Sequence, residues 1–396
     1  MVGRVDLIRS LPMSVLPDIA AFADDLTALR HDFHRHPEIG FQEHRTAARI
    51  ADLLRGWGVE VTTGIGGTGV VGVLEGSRPG RTIGLRSDMD ALPMEERTNL
   101  PYASVNPGVF HGCGHDGHMT MLLGAARYLA QRRDFAGRAV FIFQPAEEGL
   151  GGARAMLADG LFDRFACDEL YGLHNSPYSS FGRVSVRPGP AQAGAGFFDI
   201  TITGQGAHGA MPQMSRDPVP AAGLLIGALQ QIVARRIDPN HQAVVSVTQM
   251  QAGSAYNVIP DRAVLSGTTR FFHEPDEPLI VAEMEAACEG VARICGLEVA
   301  LDHRHIFSVL RNDPERTADL IAVAQELLGD QAQADAEPTM GSEDMADLLA
   351  VVPGAFFNLG HGSGVPLHNP GFVLDDAILP VGASLHARIV ERRGAA

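Results

Sequence analysis

The chain of 396 residues has only four cysteines, one tryptophan and a deficit of positive charge: 31 basic side chains stand against 47 acidic ones, a formal charge of −16. Cys113, Cys167, Cys288 and Cys295 are too few and too unevenly spaced for a disulfide framework, which fits a reducing compartment. The acidic balance argues against a nucleic-acid partner, because phosphate contacts need a basic patch that releases counterions. No uncharged apolar run reaches the roughly 18 residues of a membrane span. Charges and prolines also break the opening MVGRVDLIRSLPMSVLPDIAAFADD too often for a signal segment. The expectation is a cytoplasmic protein with no membrane partner. Disorder is excluded as well, since apolar residues make up 45 % and charged residues 20 %, with a mean hydropathy of +0.03.

The length exceeds one ordinary core and falls short of three, so two units are expected, one interrupting the other. Segments 19–36 and 43–57 carry apolar residues at helical spacing. Short apolar runs then alternate with helical stretches: GVVGVLEG, TIGLRSD, a helix over 116–131, AVFIFQ, a helix over 151–159, and ELYGLHN. That alternation is the mark of an α/β domain, a mostly parallel sheet flanked by helices, whose ligands sit beyond the carboxyl ends of the strands. Asp88 and Asp90, Glu147 and Glu148, and His174 each come at or after such an end. After the Pro/Gly-rich RPGPAQAGAG the pattern changes to β-α-β-β-α-β over about 110 residues, with Asp217-Pro218 as helix cap and first turn, which predicts an inserted ferredoxin-like α+β domain. The expected division is 1–187 and 304–396 for the catalytic domain and 188–303 for the insert.

Sixteen histidines fall largely into clusters with acids. His111-Gly-Cys113-Gly-His115-Asp116-Gly-His118 gathers a thiol, three imidazoles and a carboxylate in eight residues, a donor set that suits borderline transition metals better than calcium or magnesium. A glycine-rich loop whose histidines merely cap the next helix is the structural alternative. Glu147 and Glu148 follow the apolar strand VFIFQ. Neighbouring side chains diverge, so one acid can hold a metal while the other faces water as a base; two solvated glutamates on a turn are the alternative. With Cys113, His115 and one glutamate, His174 in GLHN and His368 in LHNP complete five ligands, about what two adjacent ions need with a bridging water. Asp88 and Asp90 lie two apart on one strand face; they could ligate metal, but better suit orientation of an imidazole from behind by accepting its other N–H.

The strings FHRHPEIGFQE, RSDMDALPMEE, HGCGHDGHMTMLLGAA, FQPAEEGLGGARAML, GLHN, GAHGAMP, NVIPD, GSEDM and LHNPGF resemble, in order, those of the M20 metallopeptidase family, best its branch of hippurate hydrolases, bacterial aminoacylases and plant auxin-conjugate hydrolases. The resemblance runs from about residue 20 to about 390. It implies a di-metal catalytic domain plus an inserted lid through which subunits form a homodimer or higher homo-oligomer. It further implies Cys113, His115, Glu148, His174 and His368 as ligands of two divalent ions (Mn²⁺, Zn²⁺, Co²⁺ or Ni²⁺), Glu147 as catalytic base and Asp90 as its supporting aspartate. Asp at position 88 and Cys113 are particular to the amidohydrolase branch, which separates the chain from dipeptidases. His208 in GAHG matches the lid histidine that reaches over the substrate carbonyl, often from a partner subunit; Asn257 and Arg270 are candidates for gripping the substrate carboxylate. His34, His36, His111, His118 and Glu343 are read as structural or supporting. The implied activity is hydrolysis of the amide bond of a small N-acyl amino acid, with a dipeptidase or carboxypeptidase of the same fold as alternative. A non-catalytic binding protein has less support, since binding alone needs no spare base. The resemblance covers nothing before Met13, which offers an alternative start and would make residues 1–12 an extension.

Overall fold

Strand Ala136–Gln144 buries Val140, Phe141, Ile142 and Phe143 without remainder, and a strand with no solvent-facing side needs cover on both faces. In the computed structural model, which describes residues 15–395, that cover comes from helices. The expectation about residues 1–12 lies outside the described residues. Across the large sheet the strands run in the order Glu60–Ile65, Gly69–Glu75, Ala136–Gln144, Arg78–Asp88, Glu169–Ser176, Gly354–Gly360, Val184–Ser185 and Ala332–Gln333. The four central strands, Ala136–Gln144 to Gly354–Gly360, are mutually parallel. At one edge the pairing turns antiparallel, because the three-residue link between Ile65 and Gly69 can only make a hairpin. Parallel register puts Asp88 opposite Gln144 and Asn358 opposite His174, so the strand ends share one rim.

Helix His115–Arg132 packs against this sheet and against helix Leu379–Arg393. It has no solvent face over its first three turns: every residue from His115 to Ala126 is buried, among them Met119, Leu122 and Leu123. An amphipathic reading therefore suits helix His44–Gly56, where Ala47, Ile50, Ala51 and Leu54 form one buried stripe, better than it suits this one.

The chain divides into two units. The first takes the chain up to Ala191, Arg311–Glu337 and the chain from Asp344 on; the second takes Gln192–Leu310 and Pro338–Glu343. The divisions thus fall a few residues later than the 187/188 and 303/304 boundaries read from composition, and a short piece carrying Glu343 joins the second unit. There Gly194–Thr203, Arg262–Phe271, Ala243–Ala252 and Glu298–Phe307 form an antiparallel sheet, with helices Pro218–Arg235 and Asp276–Cys295 on one face, in the chain order β-α-β-β-α-β. Phe198, Ile200, Ile202, Leu225, Leu229, Ile280 and Met284 fill its core. Asp217 caps its first helix by accepting from Val219 N at 2.9 Å, with Pro218 in the first turn.

Glu169 joins the start of its strand to three other elements of the first unit: its carboxylate accepts from Arg81, Arg316 and Arg393 at 2.5–2.7 Å and from Tyr171 Oη at 2.8 Å. Burial alone would raise this carboxyl, but the hydrogen bonds from Arg393 and Tyr171 and the charges of Arg393 and Arg316 outweigh it and hold the pKa at about 2. A depressed folded-state pKa means stability present above the ordinary glutamate value and lost as pH falls toward about 2. Glu169→Gln should cost on the order of 3 kcal/mol at neutral pH by denaturant titration, and should flatten the loss of stability between about pH 4.5 and 2 relative to the parent protein. An unchanged acid limb would remove Glu169 as its cause.

Candidate metal centre

The rim of the parallel strands collects the side chains singled out from the sequence. Cys113 and His115 arrive from the loop that starts helix His115–Arg132, Glu147 and Glu148 from the turn after Ala136–Gln144, His174 from strand Glu169–Ser176, and His368 from the late loop. Their ligand atoms lie within 4.8 Å of one another in overlapping triplets: Cys113, His115 and His174; Cys113, Glu148 and His368; His115, Glu147 and Glu148. Individual separations are 3.4 Å for Cys113 Sγ to His174 Nε2, 3.2 Å for His368 Nε2 to Glu148 Oε1 and 3.9 Å for His115 Nε2 to Glu148 Oε1. Asp90 stands directly behind. Its carbonyl is 2.9 Å from His115 Nδ1 and its Oδ2 accepts from Glu148 N at 3.0 Å.

These supporting bonds fix which nitrogen points inward. His115 Nδ1–H donates to the Asp90 carbonyl and His174 Nδ1–H donates to the Asn175 carbonyl at 2.7 Å, so in both rings Nε2 keeps its lone pair for the centre. His118 differs: Nδ1 meets Asp88 Oδ1 at 2.8 Å and Nε2 accepts from Asn175 N at 2.9 Å, so neither nitrogen is left for a ligand.

A divalent ion fits this donor set. His115 Nε2 is buried with no hydrogen-bond partner among the described residues, a costly condition for a polar atom that an ion would remove. The charges are consistent with it. Hydrogen bonds to Cys113 and Glu148 lift His368 to about 10, while burial pushes His174 and His118 down to about 4 and raises the Cys113 thiol. Burial would raise Glu148, but its hydrogen bond with His368 and the charge of His115 outweigh it and lower the carboxyl.

The chain around the centre is constrained in ways the spacing of motifs does not reveal. Glu43, fully buried, accepts from Ala146 N at 2.9 Å and from Thr68 Oγ1 at 2.5 Å, which pins the turn carrying Glu147. Ala146 there has φ 54°, and His368 has φ 60°, two left-handed non-glycine residues beside the candidate ligands. Asn175 Nδ2 donates to Cys113 O at 2.6 Å and its Oδ1 lies 3.0 Å from His361 Nε2. Arg86, 1 % exposed, donates to Asp88, Gln144 and Asp344 at 2.8–3.0 Å and so cross-links the ends of two parallel strands. The only signal for Arg86 was a charged residue two before Asp88 inside an apolar strand. Nothing in the sequence marked Glu43 apart from its place in a longer motif.

The remaining histidines have other tasks. His34 is 2.8 Å from Asp116 Oδ2 and 3.3 Å from Glu96; burial would lower it, but the Asp116 hydrogen bond and charge raise it to about 9. His111 is wholly buried and held near 4 by that burial, and His36 bonds the Asp32 carbonyl at 2.9 Å. His208, Asn257 and Arg270 belong to the second unit. His208 pairs with Val258 across a short antiparallel bridge, next to Asn257, whose carbonyl accepts from Gly209 N at 2.8 Å. His208 is exposed, and its Nδ1 accepts from Ala210 N at 3.1 Å, which leaves Nε2 to carry the proton. Arg270, on strand Arg262–Phe271, is half-buried and bonded to Thr268, to Thr269 O at 2.8 Å and to Met340 O at 3.2 Å.

A profile of peptidase family M20/M25/M40 matches residues 84–392, and the chain belongs to that family, a class of hydrolases. Among its curated relatives, hippurate hydrolase of Campylobacter jejuni is 40 % identical over 95 % of this chain and 98 % of its own. Thermostable carboxypeptidase 1 of Saccharolobus solfataricus is 36 % identical over 97 % and 98 %. Among solved structures, a Bacillus subtilis protein described as a dinuclear metal binding peptidase of the M20 family superposes with a TM-score of 0.80 at 34 % identity, over 94 % of this chain and 98 % of that one.

Gly114, at φ 88°, starts the central helix, and a Cβ there would come 2.5 Å from Asn175 Nδ2. Gly114→Ala therefore meets both a left-handed backbone and a clash. It should destabilise by about 1–3 kcal/mol and reduce metal content after gel filtration by displacing Cys113; full metal retention would show that Asn175 does not set the position of that loop.

Proposed function

We propose that the chain is a metal-dependent amidohydrolase that cleaves N-acyl amino acids, of the hippurate or N-acetyl type, into a carboxylic acid and an amino acid. The observation that carries this reading is a second carboxylate beside the candidate ligands. Glu148 is engaged with His368, while Glu147, 6 % exposed, stands within 4.8 Å of the His115 and Glu148 ligand atoms. Cys113, His115, Glu148, His174 and His368 would hold two divalent ions of the Mn²⁺, Zn²⁺, Co²⁺ or Ni²⁺ type; that a similar protein is described as dinuclear supports the number two. Such ions, when bound, supply Lewis acidity toward a carbonyl and a lowered pKa for water.

Glu147 takes a proton from the water that attacks the amide carbon and delivers it to the leaving nitrogen as the C–N bond breaks. Asp90 holds Glu148 through its backbone N–H and His115 through its Nδ1–H, so that both keep one orientation through the reaction. From the second unit, His208 Nε2–H is assigned the hydrogen bond to the tetrahedral oxyanion, and Asn257 and Arg270 the substrate carboxylate. Two features support assembly of a homo-oligomer through the second unit: Ala243–Ala252 is an edge strand with Met250 exposed, and helix Pro218–Arg235 exposes Val219 and Leu224.

The decisive assay follows amino-acid release from benzoyl-, acetyl- and indoleacetyl-amino acids and one dipeptide, after chelation and re-addition of each metal. Metal-restored release from the acylated substrates is expected. Release from the dipeptide alone would favour the carboxypeptidase reading, which the Saccharolobus relative supports. Glu147→Gln should retain metal and lose roughly 10²–10⁴ in kcat, and undiminished turnover would take the base role from Glu147. For His208→Ala, kcat should fall more than KM rises; a change confined to KM would end the oxyanion assignment. Light scattering should return a mass of at least two chains.

A further inference from the structure

In the second unit, strands Ala243–Ala252 and Arg262–Phe271 pair antiparallel, with Ala243 opposite Phe271. Two residues past that pair on each chain stand His241 and His273, so the strand register sets them side by side, and their ring centroids are 4.3 Å apart. Both rings flank Asp276, the first residue of helix Asp276–Cys295. His241 Nδ1 lies 3.0 Å from Asp276 Oδ2 and 3.2 Å from Oδ1, and His273 Nδ1 lies 3.5 Å from Oδ1.

Asp276 is 5 % exposed, and its buried Oδ2 has His241 Nδ1 at 3.0 Å but no aligned hydrogen-bond donor among the described residues. A capping or ion-pair role accounts poorly for this. One carboxylate has two imidazole nitrogens converging on it, yet one of its oxygens has no donor aligned with it, at a cost in free energy. The neighbouring acid, Glu277, is already engaged by His305 Nδ1 at 2.8 Å.

We propose that His241, His273 and Asp276 bind a third metal ion, of the zinc class, in the second unit and apart from the residues of the first unit's centre. An ion about 2.0–2.1 Å from tetrahedral ligands sets those ligands about 3.3 Å apart, close to the 3.0–3.5 Å that separates the Asp276 oxygens from the two imidazole nitrogens. Two imidazoles and one carboxylate select zinc, nickel or cobalt over calcium and magnesium, which want an oxygen cage. The fourth position is left for water. Because the three ligands come from a loop, a strand end and a helix start, the ion joins the ends of two strands to the helix and stabilises the unit in proportion to its occupancy.

The test counts Zn²⁺ by mass spectrometry after loading and gel filtration. Cys113→Ser/His115→Ala disables the first unit's centre, and this protein should still retain about one Zn²⁺ per chain, reduced to none when His241→Ala and His273→Ala are added. In the otherwise unaltered chain, the two histidine substitutions should lower the count by about one and abolish part of the Zn²⁺-dependent rise in Tm. Both side chains are partly exposed, 31 % and 49 %, so their loss leaves the core in place. A count that does not respond to His241 and His273, in either background, overturns the proposal. Failure of the first unit's reading shows separately, as an unchanged count on Cys113→Ser/His115→Ala.

Discussion

Asp88, Asp90, His115, His118 and Arg86 are all withdrawn from water to 1 % exposure or less, where a charged group without a partner costs several kcal/mol. The arrangement of the rim follows from that requirement. Arg86 faces Asp88, Gln144 and Asp344 at once; Asp88 faces His118; His118 in turn takes a hydrogen bond from the backbone that carries His174. Each bond that satisfies a buried group also fixes the strand end or loop from which a candidate ligand projects. The atom left over, His115 Nε2, faces Glu148 Oε1 at 3.9 Å because the other nitrogen of its ring is already spoken for. A hydrophobic core could hold the same sheet together, but it would not aim that atom.

Periodicity and composition revealed much of this architecture. The runs AVFIFQ and ELYGLHN are strands, the Asp217-Pro218 pair does cap a helix, and the switch in pattern after residue 187 precedes a second unit with the order β-α-β-β-α-β. These signals are local, and local rules read them. The parallel direction of the central strands follows from the helices between them, while the antiparallel edge follows from a three-residue link. Short pieces such as Val184–Ser185 and Ala332–Gln333 have no periodicity to read and are strands only because a neighbour pairs with them.

The centre itself was legible as a set of residue types, since cysteine, histidine and glutamate in tight clusters signal coordination whatever the fold. What the spacing did not carry is the second layer. Glu43 lies about a hundred residues from the Ala146 N–H it accepts, and Asp344 lies further still from Arg86. Such pairs depend on tertiary distance alone. The same holds for His241 and His273, unremarkable in sequence and adjacent only through strand register.

The first unit is discontinuous, and its parallel sheet is completed by Gly354–Gly360, the neighbour of Glu169–Ser176. A ribosome delivers the whole of Gln192–Leu310 before that strand exists. The second unit therefore has its main segment available for folding while the first still shows an unpaired strand edge, and His368 is the last of the candidate ligands to emerge. Synthesis order thus delays assembly of the metal centre until nearly all of the chain has been made, and leaves a long-range pairing as the slow, aggregation-exposed step.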